Sequence, residues 1–163
     1  MEKYKISNLI IKNFKCFDEI DFNLETNSLI IFDGPNGYGK TTAFEALEIL
    51  LTKTPRKLSK VRLDKRYSYK NSPIHKNEAK PIEITAVFYS NNYEPLKIKR
   101  VIPVASKSLS KKNNIGQIFS DSILYINEVK SSEDALEEVL GFVNIQNLFN
   151  VLNYVEQDEN TYF

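Results

Sequence analysis

The sequence predicts an α/β fold, and three observations predict it. An apolar run, Ser28-Leu29-Ile30-Ile31-Phe32, stops abruptly at Asp33-Gly34 and a glycine-rich loop. A segment of helical period, from about Lys40 to Thr52, follows that loop directly. Short segments rich in β-branched and aromatic residues lie on both sides of this unit.

Taken in order, Tyr4 to Ile11 reads as a strand carrying Tyr4, Ile6, Ile10 and Ile11. Asn13 to Phe17 is a short connector. Ile20 to Leu24 alternates apolar and polar residues as a half-buried strand does. Glu25-Thr26-Asn27 is a turn, and Ser28 to Phe32 suits a fully buried strand. In the helix, Phe44, Leu47 and Leu51 fall at helical spacing, with Ala43, Ala46 and Leu50 widening that face. Pro55 ends it. Residues 53–80 carry no clear period. Pro81 to Tyr89 and Leu96 to Val104 read as an antiparallel hairpin around the turn cluster 90–95. Residues 105–117 read as a mobile loop, and Ile118 to Ile126 as a further strand. Ser131 to Leu140 is a helix with a start of the Ser-x-x-Asp or Ser-x-x-Glu kind and Gly141 as its stop. Ile145 to Val155 is apolar and leads into Glu156-Gln157-Asp158-Glu159.

The 163 residues suit one domain or part of a larger one. No apolar run approaches the roughly 20 residues that span a bilayer, so no membrane partner is expected. The first residues lack the apolar stretch of a signal peptide. Cys16 is the only cysteine, which excludes an intrachain disulfide and points to a reducing, cytoplasmic setting. Charge is unevenly spread. Lys53, Arg56, Lys57, Lys60, Arg62, Lys65, Arg66 and Lys70 are interrupted by the single acid Asp64, whereas the charged residues of 128–160 are all acidic except Lys130. The basic stretch, with Tyr67 and Tyr69 interleaved, has the makings of a nucleic-acid contact through Lys57, Lys60, Arg62, Lys65 and Arg66. A solvated loop is the plainer reading of the same run.

Gly34-Pro35-Asn36-Gly37-Tyr38-Gly39-Lys40-Thr41 fits G-x-x-x-x-G-K-[ST], the P-loop. Its glycines permit dihedrals that let loop N–H groups turn inward as an anion nest. The helix start adds its positive dipole end. Lys40 is expected to reach the β- and γ-phosphates of ATP, Thr41 to ligate Mg²⁺, and Thr42 to donate to the α- or β-phosphate. By composition the motif arises in about one chain of this length in a hundred or fewer, and the strand before it and helix after it argue against accident.

The opening Ile6-Ser7-Asn8-Leu9-Ile10-Ile11-Lys12-Asn13-Phe14-Lys15-Cys16-Phe17, then Leu29 to Gly37, then Lys40-Thr41-Thr42-Ala43-Phe44-Glu45-Ala46-Leu47, resembles the N-terminal half of an SMC/RecF-type ABC ATPase head. That group includes chromosome-structure, DNA-repair and anti-phage-defence ATPases. The resemblance implies a P-loop NTPase half-head with a mixed sheet and an antiparallel β-arm at Lys97-Ile98-Lys99-Arg100. It makes residues 1–163 the N-terminal lobe, with coiled coil and C-terminal lobe lying elsewhere. Tyr154 to Glu159 is similar to the Q-loop, so Gln157 is implied as the residue contacting Mg²⁺ and the attacking water. Lys15 and Cys16 are implied to lie near the phosphates and base, beside Asn36, Gly37, Tyr38 and Gly39. The family commonly has Arg-Ser where this chain has Lys15-Cys16; lysine keeps the charge but not the fork, and a thiol donates more weakly than a hydroxyl.

The Walker B Asp-Glu pair and an LSGG signature are not found. Asn127-Glu128 carries an amide where the first carboxylate belongs, so Ser122 to Glu128 reads as an ordinary strand. His75, the only histidine, lies in a polar loop. The expectation is therefore an ATP-binding lobe that hydrolyses little alone. It is completed by a C-terminal lobe and a second head in a homodimer, engages double-stranded DNA, and has a nuclease subunit as a further partner. A non-catalytic nucleotide-binding regulator and a stand-alone P-loop enzyme such as a kinase are the rival readings.

Overall fold

A computed structural model describes residues 4–24, 31–59, 71–109 and 115–145. Its strands are β1 (Lys5–Phe14), β2 (Phe17–Asn23), β3 (Ile82–Tyr89), β4 (Leu96–Ile102), β5 (Ile123–Ile126) and β6 (Val129–Ser131). They form one sheet in the order β2-β1-β3-β4-β5-β6, antiparallel at every junction. The helices are α1 (Lys40–Thr52), α2 (Arg56–Ser59), α3 (Ala105–Ser108) and α4 (Glu133–Leu140), with a 3-10 turn at Ile115–Asp121.

Alternation explains which face of the sheet is covered. Leu9 and Ile11 of β1, Ile84 and Ala86 of β3, and Ile98 and Ile102 of β4 are buried with Ala43, Ala46, Ile49 and Leu50 of α1. Successive strand residues point to opposite faces, so Lys12, Glu83 and Lys99 share the other face. There Lys12 pairs with Glu19 at 2.7 Å and Lys99 with Glu83 at 3.3 Å.

Several elements depart from the sequence reading. β1 runs on through Asn13 and Phe14, so the connector shrinks to Lys15-Cys16. Ile31 and Phe32 lie in no strand, and Ile31 is 74% exposed. A strand needs a neighbour to satisfy its N–H and C=O groups, and among the described residues nothing pairs with these two. The buried face of α1 matches the expected one in part: Ala43, Ala46 and Leu50 are buried, but Phe44 is 39% exposed, and Thr42, Glu45 and Glu48 are buried beside them. Residues 105–109 form a helical turn, and 118–121 belong to the 3-10 turn. Ile115, Ile118 and Phe119 stand three and four apart, a helical spacing, and all are buried. β6 was not anticipated; Asn127 (φ 47°) and Glu128 (φ 66°) make the tight turn into it, the left-handed pair a two-residue hairpin favours.

α1 ends at Lys53, whose left-handed backbone sends its N–H to the Ile49 carbonyl at 3.0 Å. Ser132 caps α4 by accepting from the Ala135 N–H at 3.2 Å, and Gly141 (φ 71°) closes it. From the first turn of α4, Glu133 pairs with the fully buried Arg100. Among the described residues no helix is long and apolar enough to cross a membrane.

Candidate functional site

The site begins at the β1–β2 reversal. Phe14 pairs with Phe17 across Lys15-Cys16. Asn13 (φ 58°) and Lys15 (φ 50°) both take left-handed backbone, which asparagine tolerates better than most residues. The Asn13 amide Nδ2 donates to the carbonyls of Asn77 (2.9 Å), Lys80 (2.9 Å) and Pro81 (3.2 Å), while its Oδ1 accepts from the Asn77 N–H at 2.6 Å. The Lys15 N–H donates to the Ile74 carbonyl at 2.8 Å. The reversal is thus clamped onto residues 71–81.

His75 is part of that clamp and is buried, although it lies in a loop of polar sequence. Its Nε2 is 2.9 Å from the Pro103 carbonyl, which can only accept, so Nε2 carries the proton. Nδ1 then accepts from the Ser72 hydroxyl at 2.7 Å. Burial lowers its pKa below the ordinary 6.5, outweighing the opposing hydrogen bond to Pro103.

The glycine-rich loop lies against the same reversal. Gly37 (φ 90°) and Gly39 (φ 93°) occupy backbone that a Cβ strains. At Gly39 space is lacking as well: a Cβ would fall 2.4 Å from Phe17 Cζ and 3.0 Å from Cys16 Sγ. α1 starts immediately after Gly39 with no side chain capping it, and the first N–H groups of a helix have no acceptor within it. Lys40 Nζ donates to the carbonyls of Gly34 and Pro35, the latter at 3.1 Å. Asp33 Oδ1 accepts from the Gly34 N–H at 2.7 Å.

A cavity of about 220 Å³ opens between loop and reversal, lined by Lys15, Cys16, Asn36, Gly37, Gly39, Lys40, Thr41 and Thr42. These residues, far apart in sequence, are brought to one place. Tyr38 is not among them and is 75% exposed. Cys16 is exposed, not buried, with its Sγ 3.7 Å from the Thr42 hydroxyl. The lining holds two ammonium groups, two threonine hydroxyls and glycine backbone, and no carboxylate, a donor set that fits a polyphosphate. Among the described residues no group of three or more His, Cys, Asp or Glu could hold a metal.

Gln157, Lys60, Arg62, Lys65 and Arg66, and the side chain of Lys57, lie outside the described residues. Sequence reasoning passed over Glu45, whose buried carboxylate forms an ion pair with Lys15. The signal was available: an acidic residue one turn from Thr42, on the face that also carries Ala46 and Ile49.

A glycine loop feeding a helix start beside a cationic reversal, on an α/β scaffold, defines the P-loop NTPase class. The chain belongs to the AAA domain family, whose model matches residues 8–163. It is 31% identical over 162 residues to the endonuclease GajA of Bacillus cereus, an alignment covering 93% of this chain and 26% of GajA. Over 45 residues, 28% of the chain and 10% of the relative, it is 44% identical to the DNA replication and repair protein RecF of Corynebacterium jeikeium. Over 83 residues, 51% of the chain and 14% of the relative, it is 32% identical to the OLD nuclease of Thermus scotoductus. The chain thus spans about a quarter or less of the curated relatives it matches. A solved structure from work on ATP-driven dimerization and DNA-stimulated activation of SMC ATPases superposes with a TM-score of 0.60. It covers 96% of this chain and 88% of that one at 17% identity, a likeness of fold.

Proposed function

We propose that this chain is the ATP-binding lobe of an SMC/RecF-like ATPase that engages DNA in repair, chromosome maintenance or phage defence. The observation that carries the reading is the cavity in which Lys15, Cys16, Lys40, Thr41 and Thr42 meet around the glycine loop. Lys40 exchanges its donation to the Gly34 and Pro35 carbonyls for donation to phosphate oxygens. Lys15 supplies the second cation from the opposite wall. Thr42 donates through its hydroxyl, and Thr41, whose residue is exposed at the helix start, holds Mg²⁺. The metal, when bound, neutralises charge on the phosphate oxygens.

In this proposal residues 1–163 form the N-terminal lobe. Lys40 and Gln157 are its contributions to catalysis, the Walker B carboxylates come from a C-terminal lobe, and a second head closes over the ATP. Asn127 and Glu128 are not those carboxylates: they form the β5–β6 turn, where the Asn127 Oδ1 accepts from the Lys97 N–H at 2.8 Å and Glu128 pairs with Lys97 at 2.6 Å. The kinship with GajA, RecF and OLD supports a DNA-engaging role, with a nuclease function as partner. Lys57, Lys60, Arg62, Lys65 and Arg66 are proposed as the DNA-facing cations.

Titration of the intact protein with MgATP tests the nucleotide reading. Saturable binding that Lys40→Ala lowers at least ~10-fold is expected, since a charged hydrogen bond contributes about 1.5–3 kcal/mol. Equal affinity of the wild type and Lys40→Ala refutes it. For DNA, changing Lys57, Lys60, Lys65 and Arg66 together to Glu is expected to reduce salt-sensitive binding; unchanged binding removes that part of the proposal.

A further inference from the structure

Lys15 reaches the cavity on a flexible four-carbon stem. Its backbone is fixed by the left-handed φ and the Ile74 hydrogen bond, but neither restrains the ammonium. What does is the Glu45 carboxylate on α1, against which Lys15 Nζ donates. The Glu45 side chain is only 5% exposed, whereas that of Lys15 is 24% exposed. The carboxylate is therefore the fixed partner and the ammonium the held one. Lys15 also lies 5.7 Å from the centre of the Phe14 ring, a weaker contact on the same side.

We propose that Glu45 is a positioning residue for the phosphate site: it sits behind Lys15, outside the cavity lining, and holds the ammonium at the cavity wall. This rests on the nucleotide reading above. A lysine ammonium has three donors, so one is spent on Glu45 and two remain for an anion. Breaking the pair to release Lys15 would leave a buried carboxylate unpaired beside a polyanion, which is unfavourable on both counts. Lys15 therefore stays paired when phosphate binds, and its contribution is a donor in fixed geometry more than a free charge. The cavity opens to solvent, where a loose ammonium gains little and salt screens what it gains.

The arrangement also couples two segments that are 30 residues apart. α1 carries Thr41 and Thr42; the reversal carries Lys15 and Cys16. The ion pair ties them together behind the cavity lining, alongside the Cys16–Thr42 contact at 3.7 Å and the close approach at Gly39.

The test is calorimetric titration of MgATP into the intact protein, comparing wild type with Lys40→Ala, Glu45→Gln, Lys15→Met and Lys15→Met/Glu45→Gln. Each is measured at about 0.15 M and about 0.5 M salt, where the screening length falls from roughly 8 Å to less than 5 Å. Glu45→Gln is expected to weaken binding about tenfold, the loss of one held charged donor. That loss persists at the higher salt, because it is one of geometry. The double variant is expected to bind no more weakly than Lys15→Met, because both changes act through one contact and the second removes a repulsive carboxylate. A merely structural role would lower the unfolding temperature and make the two losses add. Glu45→Gln binding as tightly as wild type, or additive losses in the double variant, overturns the inference while leaving the nucleotide reading intact. Failure of the wild type to bind, or indifference to Lys40→Ala, overturns that reading and this inference with it.

Discussion

The Arg100 guanidinium meets Glu133 as a two-point pair, Nη1 and Nη2 donating to the two carboxylate oxygens at 2.8 and 2.7 Å. The same guanidinium donates from Nε and Nη2 to the Leu50 carbonyl at 3.2 and 3.1 Å, and from Nη1 to the Ser122 hydroxyl at 3.3 Å. Arg100 is fully buried and Glu133 is 43% exposed by side chain. The cluster joins β4, the end of α1 and the start of α4, and it gives a carbonyl of the last helical turn a partner.

Glu133→Ala removes the only acidic partner that a buried guanidinium has among the described residues. Breaking a fully buried pair costs about 3–5 kcal/mol; water reaches Glu133, so a loss of about 2–3 kcal/mol is expected here. Urea unfolding of the variant against wild type measures it. Glu133→Gln, which keeps one acceptor, is expected to lose less.

Acid is expected to weaken the fold in two windows. Burial raises the Glu133 pKa, but the hydrogen bond and charge of Arg100 outweigh it, so the value lies below the ordinary 4.5. A depressed carboxylate contributes stability that is present above its unfolded pKa and lost as pH falls through the folded one. The His75 pKa is depressed below 6.5. Between that lowered value and 6.5 the unfolded chain takes up a proton that the folded chain refuses, so stability falls as pH drops through this range. His75→Gln is expected to flatten the upper window and leave the lower one, read from unfolding free energies from about pH 7 to about pH 2.

Asn13 separates two kinds of cost. Asn13→Gly keeps the φ of 58° without strain but removes the amide from three carbonyls and one N–H. Asn13→Ala removes the same bonds and adds backbone strain. A loss of about 2–4 kcal/mol is expected for glycine, since unmet buried groups cost roughly 1–3 each and some regain water. Alanine should lose about 1 kcal/mol more. Paired denaturation curves give the difference directly.

The buried face of α1 predicts an unequal pair. Ile49→Ala, at a fully buried position, is expected to cost about 2–5 kcal/mol. Phe44→Ala should cost distinctly less, because Phe44 is 39% exposed and its ring contact is an edge-on one to Phe32 at 6.3 Å. Equal losses would contradict the packing described.

Gly39→Ala meets both a φ of 93° and the Phe17 ring. Strain of about 1–2 kcal/mol is expected from the backbone alone, with MgATP affinity lost together with stability. Phe17→Leu in the same chain relieves the clash but not the dihedral, so it should restore only part.

By itself the sequence determined the local parts. The P-loop, the bounds of α1, the β3–β4 hairpin and the stops at Gly141 and Pro55 were legible because short-range chemistry sets them. Thr42 follows from the P-loop itself, whereas Lys15 and Cys16 follow only from the family resemblance. The tertiary structure alone decided which side of the broad apolar face of α1 is buried, because Phe44, Leu47 and Leu51 satisfy the helical period as well as Ala43, Ala46 and Leu50 do. Only the sheet beneath breaks that tie. It also decided that Arg100, His75 and Glu45 are interior groups. Each is polar and stands in no motif, and each is buried only because partners from distant segments, Glu133, Pro103 and Lys15, arrive to satisfy it. Residue spacing along a chain encodes periods; it does not encode which distant group will come within hydrogen-bonding reach.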